Sequence, residues 1–147
     1  MRKEIIAGLI LLLLTGCSTN NDDNVITEPG GTAKYFINNQ TDKDIIIIYQ
    51  ESEALGSDID TTNIIAGKSS LKIFEDAMIG QNPVPENSFR EIKFYEATDL
   101  TEPLWILSPV EDGDWTITDR ALGNSGYGLT VYEINFTDDL KTENVFR

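Results

Sequence analysis

Histidine is missing from this chain altogether, and cysteine occurs once, at Cys17. Without an imidazole there is no Ser-His-Asp or Cys-His catalysis and no histidine-bearing zinc site. A single thiol cannot form an intrachain disulfide, so stability has to come from packing. Positive charge is scarce too: 11 Lys and Arg stand against 25 Asp and Glu, a formal net charge of −14. That balance repels nucleic acid and anionic membrane surfaces and favours cationic partners, although a merely solvated acidic surface has the same composition. Long apolar runs are lacking as well. The most apolar stretch, Ile5 to Leu14, is shorter than the roughly 18 residues a transmembrane helix needs.

What that stretch does match is a secretory signal. Met1-Arg2-Lys3 supplies the positive start, Ile5 to Leu14 is interrupted only by Ala7 and Gly8, and Thr15 and Gly16 are small enough for a signal peptidase. Leu14-Thr15-Gly16-Cys17 resembles the lipobox of bacterial lipoproteins. The resemblance implies that residues 1–16 are a lipoprotein signal peptide and that Cys17, as the mature N-terminus, carries acyl chains, palmitate among them. Several chains make a membrane attachment stable where one does not. Within that family, Ser18 in place of an aspartate points to the outer membrane of a Gram-negative bacterium. Asn21-Asp22-Asp23 is similar to the acidic run that marks export to the cell surface, so the periplasmic side and the surface both stay open. An ordinary secretory signal with an incidental cysteine is the competing reading.

Removing Arg2, Lys3 and Glu4 leaves the remainder one unit more negative. Residues 17–32 are polar and glycine-containing, with too little apolar surface to offset the entropy of ordering, and read as a lipidated N-terminus and flexible tether. Residues 33–147, about 115 in number, suffice for a single domain.

Within that domain the apolar pattern has a period of two. Ala33 to Asn38 predicts a first strand closed by the turn-rich Asn38 to Asp42. Ile45 to Tyr49 is too short for a typical helix and too β-branched to favour one, and an uninterrupted apolar run predicts a central strand covered on both sides. Glu51 to Thr62 reads as a loop. Asn63 to Ile65 and Ser69 to Asp76 read as a hairpin about Ala66-Gly67-Lys68, with Leu71 and Ile73 on one face. Phe89 to Glu96 alternates, with Ile92 and Phe94 facing one way and Glu91, Lys93 and Tyr95 the other. Leu104 to Leu107 and Trp115 to Thr118 flank the Asp-Gly turn at Glu111 to Asp114. Leu129 to Thr137 places Tyr132, Ile134 and Phe136 on one face, and Asp138 to Arg147 forms either an edge strand or a short helix. About eight short strands without a long amphipathic helix predict an all-β, antiparallel β-sandwich, immunoglobulin-like in architecture, with a small β-barrel as the alternative. The mature part broadly resembles the small β-sandwich surface lipoproteins of uncharacterised function found on Gram-negative bacteria.

Several groups of residues carry candidate chemistry. Asp112, Asp114 and Asp119, with Glu111, place hard oxygen ligands near one turn, as calcium would need, but without EF-hand spacing; an acidic turn without metal, and no cofactor at all, is the plainer reading. Trp105, Trp115, Tyr127 and Tyr132 could stack on a sugar or a partner if their rings are exposed, whereas tryptophans in a small domain commonly fill the core. Asp60-Thr61-Thr62 resembles an O-glycosylation signal of exported bacterial proteins, with Thr61 as acceptor. Asn39-Gln40-Thr41 and Asn135-Phe136-Thr137 fit the Asn-linked pattern. Carboxylate pairs such as Glu51 with Glu53, or Asp112 with Asp114, could in principle hydrolyse a glycoside.

The leading functional reading is a lipid-anchored, non-enzymatic cell-envelope domain that binds an envelope protein or a glycan, with no nucleic acid partner. A carbohydrate-binding module, an inhibitor of a cationic enzyme and, last, a small carboxylate hydrolase are the alternatives.

Overall fold

The computed structural model describes residues 28–140. Eight strands run in the order β1 (Gly30–Asn39), β2 (Ile45–Glu51), β3 (Ile59–Thr61), β4 (Ser69–Ile79), β5 (Phe89–Glu96), β6 (Trp105–Leu107), β7 (Thr116–Leu122) and β8 (Gly128–Phe136); a single helical turn, α1 (Pro85–Ser88), precedes β5. They form two four-stranded sheets, β4-β1-β8-β7 and β3-β2-β5-β6. Every pairing is antiparallel except that of β1 with β8, which is parallel. The chain is therefore an all-β sandwich, and neither sheet closes into a barrel. No helix among the described residues is long and apolar enough to cross a membrane.

The alternation predicted for the strands decides what meets between the sheets. In β1, Ala33, Tyr35 and Ile37 are buried; in β8, Thr130, Tyr132, Ile134 and Phe136; in β5, Phe89, Ile92 and Phe94. Ile45, Ile47 and Tyr49 of β2 complete the inner face, while Ile46 and Ile48 point outward and are half-buried. The expectation that this run is covered on both sides is thus corrected. The strand is central, between β3 and β5, but a two-layer sandwich has only one inside, and successive side chains take opposite faces.

Other boundaries differ as well. Gly30 to Thr32 belong to β1 and pair with Ile79 to Ala77, so the folded domain begins before residue 33; residues 17–27 of the expected tether, and Cys17 with them, lie outside the described residues. Asn63 to Ile65 contribute only an isolated bridge, Ile45 to Ile65, and β4 pairs with β1 instead. The turn before β4 is as read: a Cβ on Gly67 would stand 2.7 Å from the Asp42 carbonyl carbon and oxygen, so only glycine fits. A bulge in β4 sets Tyr35 opposite Phe74 and Phe36 opposite Lys72, leaving Ile73 without a β1 partner, yet Leu71 and Ile73 both pack against the core with the exposed Lys72 between them, on one face as read. The Asp-Gly turn does not close a hairpin. β6 and β7 lie in different sheets, and the segment between them, with a 3-10 turn at Asp112–Asp114, crosses the end of the sandwich.

One crossing between sheets is organised by a buried amide. Asn39 donates to the Lys43 carbonyl at 2.7 Å and the Ile65 carbonyl at 3.1 Å, and its Oδ1 accepts from the Thr41 hydroxyl at 2.8 Å. Asn39 and Thr41 are both buried. These bonds satisfy backbone groups that a tight, buried crossing would otherwise strand.

Candidate functional site

The aromatic platform is the first expectation to be decided. Trp105 and Trp115 are each 7 % exposed, and Tyr132 is buried. Trp105 packs on Phe94, centroids 4.7 Å apart, and on Phe136; Trp115 stacks on Phe89 at 5.8 Å and meets the edge of Tyr35 at 5.3 Å. Their rings are structural, filling the space between the sheets, and cannot present a flat face to a sugar. Tyr127, half-buried in the β7–β8 loop, remains apart from them, its carbonyl accepting from the Gly123 N–H at 2.8 Å. The stacking site is therefore not assembled.

Nor are the three aspartates gathered round one point. Asp112 Oδ1 accepts the Glu86 N–H at 3.2 Å, Asp114 Oδ2 accepts the Glu111 N–H at 3.1 Å as half of a capping box, and Asp119 stands on β7 opposite Val131. Among the described residues no group of three or more acidic, histidine or cysteine side chains is arranged to hold a metal ion. In the other carboxylate pair, Glu53 is exposed and 3.9 Å from the Arg90 guanidinium. Asn39, being buried and fully bonded, is closed to glycosylation.

Two constellations that the sequence did not single out emerge from the packing. In the first, Tyr35 on β1, Ser88 at the end of α1 and Asp76 on β4 form a chain. The Tyr35 hydroxyl lies 2.7 Å from Ser88 Oγ, which donates to Asp76 Oδ2 at 2.7 Å. Burial, above all, pushes the Tyr35 phenol well above its ordinary value. Ser88 is fully buried and Asp76 is 5 % exposed, so no substrate reaches the serine, and the chain serves to satisfy polar groups inside the core. Asp76 in the run Leu71 to Ile79 was the available signal: an acidic residue in a strand otherwise apolar on its inner face needs a partner inside.

The second lies where the two sheets part, between the edge strands β3 and β4. A cleft of about 200 Å³ is lined by Tyr49, Asp60, Thr61, Thr62 and Asn63 on one side and Leu71 to Ile73 on the other. Tyr49 spans it at the base: its hydroxyl is 3.1 Å from Asp60 Oδ2 and 3.2 Å from the Ile73 carbonyl, which ties β2 to β4 across the gap. Burial first, then the charge of Asp60, pushes the Tyr49 phenol up, so it remains a neutral donor. Asp60 Oδ1 accepts the Thr61 N–H at 2.7 Å, and Thr62 Oγ1 accepts the Ile47 N–H at 3.1 Å. Thr61 itself is exposed on β3. Its volume fits one side chain or one sugar ring and falls below the roughly 300 Å³ at which small-molecule pockets begin.

The flank around this cleft is acidic. The Glu51 N–H donates to the Asp58 carbonyl at 2.8 Å, which brings the ends of β2 and the β3 approach together. Burial, and after it the charges of Asp58, Asp60 and Asp76, holds the Glu51 carboxyl above its ordinary value. Among the described residues none of these four carboxylates enters an ion pair. Comparison of the chain with family models, with curated proteins and with solved structures finds no match.

Proposed function

We propose that this chain is a non-enzymatic binding domain of the cell envelope, anchored by lipid at Cys17 to the outer membrane of a Gram-negative bacterium, and that it recognises a cationic protein through the flank between β3 and β4. The observation that carries the reading is the group Glu51, Asp58 and Asp60, without an ion pair among the described residues, with Asp60 lining a cleft sized for one side chain. A lysine or arginine of a partner would offset the burial and, after it, the neighbouring negative charges that raise Glu51, and the overall charge of −14 would speed its approach. The glycan alternative loses its support with the burial of Trp105 and Trp115.

The test uses the full chain in detergent and an immobilised small basic protein, cytochrome c, as probe, with association rates measured from about 20 to 500 mM salt, a range over which screening shortens to side-chain dimensions. The rate is expected to fall steeply with salt. Asp58→Asn with Asp60→Asn should slow it more than the equally charged change Glu28→Gln with Glu102→Gln. A flat salt profile, or equal slowing by both pairs, rejects the flank as the recognition surface.

A further inference from the structure

A free strand edge runs beside the cleft between β3 and β4. The outer strands are β4 and β7 in one sheet and β3 and β6 in the other. β3 and β6 have three residues each, too few to hold a further strand. β7 is longer, but it is bulged at Thr118, and Arg120, opposite the buried Thr130, brings a charge to its inner face; both devices keep a strand from adding to an edge. β4 has eleven residues, and although it too is bulged, at Ile73, Phe74 to Ile79 continue in register beyond the bulge. Alternate residues of an edge strand point their N–H and C=O groups away from the sheet. Among the described residues, no backbone group of Ser70 to Met78 bonds to anything but β1, except the Ile73 carbonyl, which accepts the Tyr49 hydroxyl at 3.2 Å.

The side chains beside this edge define what fits it. Asp60 stands opposite Tyr49, and the Glu51 N–H donates to the Asp58 carbonyl, so the carboxylates form two levels, two residues or about 7 Å apart along the strands. The first level lies alongside Ile73, because Tyr49 bonds both Asp60 and the Ile73 carbonyl. The second lies alongside Asp76, whose charge acts on Glu51. Lys72, the only base on β4, is neutralised by Glu75 at 2.5 Å.

We propose that the cationic partner binds as an extended segment added to the edge of β4, with basic residues at alternate positions that turn inward to Asp60 and to the Glu51–Asp58 level. The inference rests on the reading of this flank as the site for a cationic protein, and it adds the backbone conformation and the residue spacing of what the flank takes. Main-chain bonds to the outward groups of β4 supply affinity whatever the sequence, and the two acidic levels select a lysine or arginine at every second position. A helical segment has no such match, since its residues two apart do not share a face.

Three short synthetic peptides test it on isotope-labelled full chain in detergent: one of alternating lysine and threonine, one with the same residues but the lysines consecutive, and the alternating one N-methylated along its backbone, which removes the strand donors and keeps the charge. The alternating peptide is expected to slow hydrogen exchange of amides within Ser70 to Met78. It is also expected to bind about tenfold more tightly than either of the others, roughly the effect of one net hydrogen bond. In Asp58→Asn with Asp60→Asn its advantage over the consecutive-lysine peptide should disappear. Equal binding by all three, or slowed exchange on β7 instead of β4, overturns the strand mode and leaves the cationic site standing, since that site is judged by the salt and variant response with cytochrome c. Failure of every peptide to bind a chain that still shows that response overturns the strand mode as well. Loss of the cytochrome c response itself removes both readings.

Discussion

Glu51 shows how a single residue here is set by what the chain folds beside it. Its carboxyl is raised by burial and by Asp58, Asp60 and Asp76, so the folded chain holds that proton more tightly than the unfolded one. The stabilisation linked to it is fully present below the ordinary glutamate value of about 4.3 and is lost as pH rises through the higher folded-state value. Glu51→Gln is therefore expected to raise the denaturation midpoint at neutral pH and to leave it unchanged below about pH 4, where Glu51 is protonated in both states. An unchanged midpoint at neutral pH would show that the four carboxylates do not strain one another. None of this was visible residue by residue: Glu51 and Asp58 are an ordinary acidic pair in the sequence, and only the backbone bond between them brings their charges together. Trp105 and Trp115 make the same point, since a tryptophan next to a turn reads alike whether its ring lies in solvent or, as here, between two sheets.

At the scale of elements, β2 carries the sharpest test. Ile45 and Ile47 are fully buried, while Ile46 and Ile48 belong to the outer face. Ile47→Ala is expected to cost about 2–5 kcal/mol, as for a buried isoleucine, and Ile46→Ala distinctly less; chemical denaturation of both variants measures the difference. Equal losses would mean that the strand faces are assigned the wrong way round. The existence of β2, β5 and β8 was legible from β-branched runs and alternation. β3 was not, because three exposed residues in a polar loop carry no periodic signal, and it exists through pairing with Ile48 to Gln50. The supposed hairpin of Asn63 to Ile65 with β4 failed for the complementary reason: closeness in sequence suggested a partner, but β1 supplies a ten-residue ladder to β4 that three residues cannot match.

For the molecule as a whole, the proposed anchor at Cys17 carries the most weight, because a domain so attached would meet only partners that come to the membrane. If Cys17 bears the lipid, mass spectrometry of the chain extracted from its native membrane will show an N-terminal acylated Cys17, and Cys17→Ser will accumulate an unacylated precursor. An unmodified Cys17 in the native mature chain would sink the lipoprotein reading, while leaving the sandwich and its acidic flank untouched.

The order of residues is enough to settle the class of the fold, since a period of two, β-branched runs and frequent turn residues leave few ways to bury an apolar face other than stacked sheets. It also determined the excess of negative charge and the chemistry that a chain without histidine must forgo. Packing settled which strands are neighbours, that β6 and β7 part into different sheets, that the tryptophans face inward, and that Tyr49 and Asp60 meet Ile73 at a cleft. Alternation is a local property that each strand carries in its own residues. Pairing and burial are settled between segments far apart in the chain, and nothing in either segment records its partner.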